Sequence, residues 1–188
     1  MMRRPSRPQG FTLIELMVTL AIAAILMFLA VPSFVSYQRN AQLTSAANTL
    51  LAAINAARGE AMKRGMSAMV VPTGNGSDWT EGWVVFVDKN NNREYINTDD
   101  ITVLTQTKVP SGISITGNGT AAESPAYIMF DAAGYSKKKN GSFGNLSISF
   151  VRSDLAAADG YRQTRKIKIL STGRVRMCTP KRADDENC

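Results

Sequence analysis

Between Leu16 and Gln38 the chain carries no charged residue, and the next charge is Arg39. Coiled as a helix, such a run crosses a hydrocarbon core of about 30 Å. Residues Met1 to Gly10, ahead of the apolar stretch that Phe11 opens, include Arg3, Arg4 and Arg7 and no acid. A basic flank of this kind stays in the cytoplasm, so everything beyond the span is expected on the far side of the membrane. A secretory signal would place its cleavage site after the apolar region, at small residues. Here the run passes directly into more helix-forming sequence, so processing is expected at its start instead.

Pro32 lacks a backbone donor and should kink or loosen this helix locally. Beyond it Leu43, Ala46, Ala47, Leu50, Leu51, Ile54, Ala57 and Ala61 recur at spacings of three and four. That pattern predicts an amphipathic helix whose small-residue face can lie on a sheet. Lys63 and Arg64 suit a helix C-terminus, and Gly65 suits its stop. After Gly65 the apolar residues fall into short runs rich in Val, Ile, Phe and Thr, separated by Gly, Asn, Asp and Pro. Strands are expected at residues 66–71, 82–87, 101–107, 113–116, 126–130, 145–152, 165–170 and 174–178. The only further helical signal is at Leu155–Ala158. The expected fold is α+β, a long N-terminal helix packed on an antiparallel β-sheet domain. Its segments are a leader (1–10), a membrane-spanning and filament-core helix (11–37), an amphipathic helix half (38–65) and a β domain (66–188).

The chain contains no His, which removes the commonest general base and metal ligand. No Ser or Cys is paired with a base and there is no phosphate-binding loop, so neither a catalytic site nor a cofactor is expected. The only cysteines are Cys178 and Cys188. Two thiolates cannot build a structural zinc site alone; they read as one disulfide in an oxidising compartment, or as two free thiols. Asp88, Asn90, Asn92, Glu94 and Asp99 approach the spacing of a calcium loop. Arg93, however, stands where that loop needs Gly. An Asn-rich connection that tolerates left-handed backbone accounts for the same residues, and no metal site is expected.

Charge is unevenly spread. From Met66 to Ser136 the net charge is −5, and from Lys137 to Cys188 it is +7. Such asymmetry points to a polyanionic partner. Arg174 and Arg176 flank Val175, so in an extended segment both guanidinium groups face one way. Gly173 allows a tight turn just before them. Lys166 and Lys168 share one face of the preceding strand, with Ile167 and Ile169 inward, and Lys181 and Arg182 follow on the segment between the cysteines. Guanidinium matches phosphate oxygens in a bidentate way. Basic residues that merely solvate an edge strand would show the same pattern. The run Lys137–Lys139 reads as a solvated turn whose charge could add to this site. No aromatic residue stands beside the arginines in the sequence, so binding to a duplex backbone is expected rather than stacking on single-strand bases.

The string Gly10-Phe11-Thr12-Leu13-Ile14-Glu15-Leu16 resembles the prepilin peptidase site of type IV pilins and type II secretion pseudopilins. The resemblance implies cleavage between Gly10 and Phe11 by that peptidase, methylation of the new Phe11 amine, and retention of Glu15. A carboxylate inside an apolar helix costs about 2.5–3.5 kcal/mol on insertion scales unless it is paired. The Phe11 amine of a neighbouring subunit would pair it in a filament; alternatively Glu15 snorkels to the cytoplasmic interface. Gly82-Trp83-Val84-Val85-Phe86-Val87-Asp88, Ile128-Met129-Phe130-Asp131-Ala132-Ala133-Gly134 and the segment Lys166–Arg176 resemble, in order and spacing, the landmarks of the FimT/GspH family of minor pilins and pseudopilins. Gly173-Arg174-Val175-Arg176 resembles the DNA-binding G-R-x-R element of that family's transformation pilins. The implied function is non-sequence-specific capture of extracellular DNA through Arg174, Arg176, Gly173, Lys168, Lys181 and Arg182. Other pilins would be its filament partners, and the inner membrane its site before assembly. The alternative is a structural subunit, either a minor pilin that primes filaments or a GspH-like pseudopilin of type II secretion, which needs no basic patch.

Overall fold

The computed structural model describes residues 10–74, 76–154, 161–182, 185 and 188. The leader residues 1–9 and the helical signal at Leu155–Ala158 lie outside the described residues. One helix, α1, runs Leu13–Arg64. It begins in a capping box. Thr12 Oγ1 accepts from the Glu15 backbone N–H at 3.2 Å, while Glu15 Oε2 accepts from the Thr12 N–H at 3.3 Å and from its hydroxyl at 3.2 Å. Two otherwise unpaired donors at the helix start are thereby satisfied. The helix continues through Pro32. It ends where Gly65 turns left-handed at φ 66° and the Met66 N–H donates to the Ala61 carbonyl at 3.3 Å, a Schellman stop.

Two compact units share this chain, residues 1–39 and 40–188. In the first, the apolar side chains of the described residues are almost all exposed, Phe11 at 88% and Phe28 at 81%. In the second, Leu43, Ala46, Ala47, Leu50, Ile54, Ala57 and Ala61 are buried in one hydrophobic core, as their spacing predicts.

The β domain is two antiparallel sheets, where a single sheet would have fitted the sequence equally well. The five-stranded sheet holds β1 (Ala68–Pro72), β2 (Trp83–Val87), β3 (Ile101–Gln106), β5 (Ile128–Phe130) and β6 (Ser136–Lys137), in the order β3-β2-β1-β5-β6. The four-stranded sheet holds β4 (Ile113–Gly117), β7 (Leu146–Arg152), β8 (Thr164–Ile169) and β9 (Val175–Cys178), in the order β4-β7-β8-β9. Both inner faces contribute to the core that α1 covers, including Trp83, Val85, Phe130, Ile148, Phe150, Ile167 and Ile169. Strand β6 is missing from the periodicity because Ser-Lys has no apolar signal. It forms because β5 offers an edge, pairing Met129 with Lys137 and Phe130 with Ser136.

Every residue of β2 is buried. Its outer face is covered by the connection from Asp88 to Asp100, with the Phe86 and Tyr95 ring centroids 5.0 Å apart. Two buried carboxylates clamp this connection. Asp88, 3% exposed, accepts from the backbone of Asn92 at 3.2 Å and of Arg93 at 2.9 Å. Asp100 accepts from Lys89 at 3.2 Å and from Ile96 at 2.9 Å. Asn91 and Arg93 take left-handed backbone, φ 56° and 62°. Of the oxygens that resemble calcium ligands in the sequence, those of Asp88, Asn90 and Asn92 are thus engaged with peptide N–H groups. Among the described residues no group of three or more carboxylates or thiols is placed to hold a metal ion.

Candidate nucleic-acid interface

The hairpin β8–β9 closes through Leu170–Arg174. The Gly173 N–H donates to the Leu170 carbonyl at 2.8 Å and the Leu170 N–H to the Arg174 carbonyl at 3.0 Å. Gly173 takes φ 77°, the left-handed position of a G1 bulge. It is also buried. A Cβ built on it would lie 1.8 Å from the Gly134 carbonyl oxygen. That same carbonyl accepts from Arg58 Nε of α1 at 3.0 Å. Helix, the turn after β5 and the basic hairpin therefore meet at one contact, which only glycine permits. Gly173 positions the hairpin; a buried glycine does not itself offer a binding surface. The hairpin is tied down further by the Ser136 N–H to the Ser171 carbonyl at 3.1 Å, and by the Ser171 N–H to Asn145 Oδ1 at 2.5 Å.

Register then decides which charges gather. Lys168 stands opposite Arg176, and Lys166 opposite Cys178. On the other side of β8 their partners are Ser147 and Ser149. Ile167 and Ile169 point into the core, and Val175 packs against it. The outer face of this sheet edge therefore presents Lys166, Lys168 and Arg176 together, with Arg174 exposed one step along the hairpin. Lys168, Arg176 and Arg182 also make interactions within the chain.

Cys178 and Cys188 are joined in a disulfide, Cα–Cα 5.7 Å. The ring it closes carries Lys181 and Arg182, both exposed. Asp185 organises the ring: its carboxylate accepts from the Lys181 N–H at 3.0 Å and the Cys188 N–H at 3.3 Å. An acid stands inside the basic cluster for this reason. Of the terminal acidic run, Asp184 and Glu186 lie outside the described residues.

Not all the positive charge of the C-terminal segment belongs here. Arg152 is 4% exposed and bound to Asp154 at 2.7 Å, which raises its pKa, and it also donates to Gln163. Arg165 alternates to the inner face and reaches Asn40 Oδ1 at 3.1 Å, with burial lowering its pKa. Lys137 Nζ lies 3.6 Å over the Phe143 ring and 3.7 Å from Asp131, while Lys139 Nζ lies 5.2 Å from the Tyr127 ring centroid. These lysines sit at the β6 edge of the other sheet. The same β6 edge carries an aromatic pair, brought together where Phe143 bridges to Lys137. Tyr135, flanked by Gly134 and Ser136, and Phe143 form an exposed ring pair with centroids 5.6 Å apart.

At the N-terminus, Gly10, Phe11 and Glu15 are all exposed. The capping role of Glu15 was not drawn from the sequence, although the spacing Thr12-x-x-Glu15 signals it.

Residues 46–173 match the model of the family described as type II transport protein GspH, and residues 5–31 match the prokaryotic N-terminal methylation motif. The chain belongs to the GspH family. Among solved structures, this GspH-family chain is similar to the type IV minor pilin FimU of Pseudomonas aeruginosa. The identity is 15% and the TM-score 0.55, over 78% of this chain and 98% of that one. A second crystal form gives 16% and 0.54, over 74% and 98%. The minor pseudopilin EpsH from the type 2 secretion system of Vibrio cholerae aligns at 11% identity and TM-score 0.49, over 74% and 98%. At these identities the likeness to FimU shows the fold: one long helix packed on antiparallel sheets. No curated protein matches by sequence. The family match ends at Gly173, so it includes the glycine that seats the hairpin and stops before Arg174, Arg176 and the disulfide ring.

Proposed function

We propose that this chain is a minor pilin that binds extracellular DNA without sequence preference and supports its uptake in natural transformation. The observation that carries this reading is the outer face of β8 and β9, where Lys168 stands opposite Arg176 with Arg174 exposed beside them. Two guanidinium groups and an ammonium on one rigid sheet edge fit the repeating phosphates of a backbone, and Lys181 and Arg182 extend that charge on the disulfide ring. In this reading prepilin peptidase cuts between Gly10 and Phe11, and the Phe11 amine is methylated. The apolar helix holds the protein in the inner membrane, with its β domain in the periplasm, before it joins other pilins in a filament that reaches the cell surface. There Glu15 exchanges its hydrogen bonds to Thr12 for the Phe11 amine of a neighbour.

The test is DNA binding by the full-length protein in detergent micelles, followed by fluorescence anisotropy with short labelled duplexes of unrelated sequence. About four or five phosphate contacts give a log–log salt slope near −4 on duplex DNA. Arg174→Gln with Arg176→Gln should weaken binding about 10- to 1,000-fold at low salt, since each charge-assisted contact is screened where it is exposed. Thermal unfolding should be unchanged. No duplex binding by the wild type, or equal binding by the double variant, would remove the DNA reading. The membership in the GspH family then favours the second reading, a structural subunit of a pilus or of a secretion pseudopilus. Loss of filament assembly on deletion, with DNA uptake affected only through assembly, would mark that case.

A further inference from the structure

The fold places a pair of exposed aromatic rings in the segment whose neighbouring residues contact the basic hairpin. Tyr135 is 43% and Phe143 57% exposed, with their rings at 79° to one another. Alternation along β6 sends Ser136 inward, fully buried, and leaves Tyr135 and Lys137 on one outer face, with Phe143 bridged across from Lys137. Both neighbours of Tyr135 touch the hairpin: Gly134 through Gly173, and Ser136 through Ser171. Two residues beyond Phe143, Asn145 also holds Ser171. The rings and Arg174 thus rest on one set of backbone contacts. Lys137 Nζ sits over Phe143, so the platform carries its own cation, balanced in part by Asp131 at 3.7 Å.

Exposed rings could instead meet a protein partner. The centre of such an interface is normally depleted of lysine, whereas here Lys137 lies on the ring face. Aromatic faces interleaved with cations along a groove are the combination that holds unpaired bases while their phosphates are neutralised. Resting on the DNA-binding reading above, we infer that Tyr135 and Phe143 form a stacking platform for unpaired bases. The substrate of this site is then DNA with single-stranded character, its backbone on Arg174, Arg176 and Lys168 and its bases on the two rings.

The decisive comparison is oligothymidylate, which cannot pair with itself, against a duplex of matched length, both titrated onto the full-length protein in micelles. Tyr135→Leu with Phe143→Leu keeps apolar bulk and removes the rings. Oligothymidylate affinity should fall about 10-fold or more with its salt slope unchanged, since stacking releases no counterions, while duplex affinity should hold. Tyr135→Phe with Phe143→Tyr should restore oligothymidylate binding. The platform is overturned if the leucine variant binds oligothymidylate as the wild type does. It is also overturned if that variant loses duplex and oligothymidylate equally, or if the wild type binds duplex but not oligothymidylate. If the wild type binds neither nucleic acid, the DNA reading itself fails and the platform with it.

Discussion

Gly173 shows how much a single residue carries in this fold. Its left-handed φ of 77° and its approach to the Gly134 carbonyl each exclude a side chain independently. Gly173→Ala would bring a methyl group against a carbonyl already bound by Arg58. Strain at a left-handed residue and forced repacking together should destabilise the domain by about 3 kcal/mol. The drop in melting temperature is measurable by near-ultraviolet circular dichroism, with the buried Trp79 and Trp83 as probes. Arg174→Gln, one residue on, should leave that signal alone and affect only ligand binding. The need for a glycine was legible in the sequence as a turn ahead of two arginines. Its second reason was not, because Gly134 is 39 positions away in the chain. Glu15 is the converse: its spacing of three from Thr12 signals a capping box, whereas the cost of a carboxylate within an apolar helix points only to a partner in a filament.

At the scale of elements, β9 is the vulnerable piece. It is four residues long, pairs only with β8, and is the last strand among the described residues. The Cys178–Cys188 ring anchors its end, with ten residues of separation. Closing a ring of that size should contribute about 2–3 kcal/mol in the loop-entropy picture. Cys178→Ser with Cys188→Ser should therefore lower the melting temperature by several degrees in a domain of this size, and reductant should do the same to the wild type. Neither thiol should react with an alkylating reagent in folded, unreduced protein, as mass spectrometry would show. The strands of both sheets, β6 excepted, were legible from their β-branched runs. Their division into two sheets was not, because a period of two identifies a buried face without saying which neighbour supplies the hydrogen bonds.

At the scale of the whole molecule, the helical stretch from Leu13 to Tyr37 carries an exposed apolar surface of its own. Exposure on that scale requires lipid or other copies of the chain to cover it, which fits the methylation-motif match over residues 5–31. If the peptidase acts as proposed, mass spectrometry of membrane-extracted protein should show a chain that begins at methylated Phe11. Gly10→Ala should leave the leader attached and abolish filament incorporation. A chain beginning downstream of Ala30 would contradict this. The sequence by itself determined the elements set by local chemistry: the span from its lack of charge, the amphipathic half from its period, the strands from their composition, and the helix stop from Lys-Arg-Gly. Tertiary structure alone decided which of the C-terminal charges share a face. Arg152 is bound by Asp154 and Arg165 by Asn40, and Lys137 turns to Phe143, while Lys168 and Arg176 are set opposite one another by register. It also decided that Gly134 and Ser136, on either side of Tyr135, contact the arginine hairpin. The physical reason is the same in each case: a side chain's neighbours across a sheet or a loop contact are fixed by long-range hydrogen bonds and close packing, and no local period in the chain encodes them.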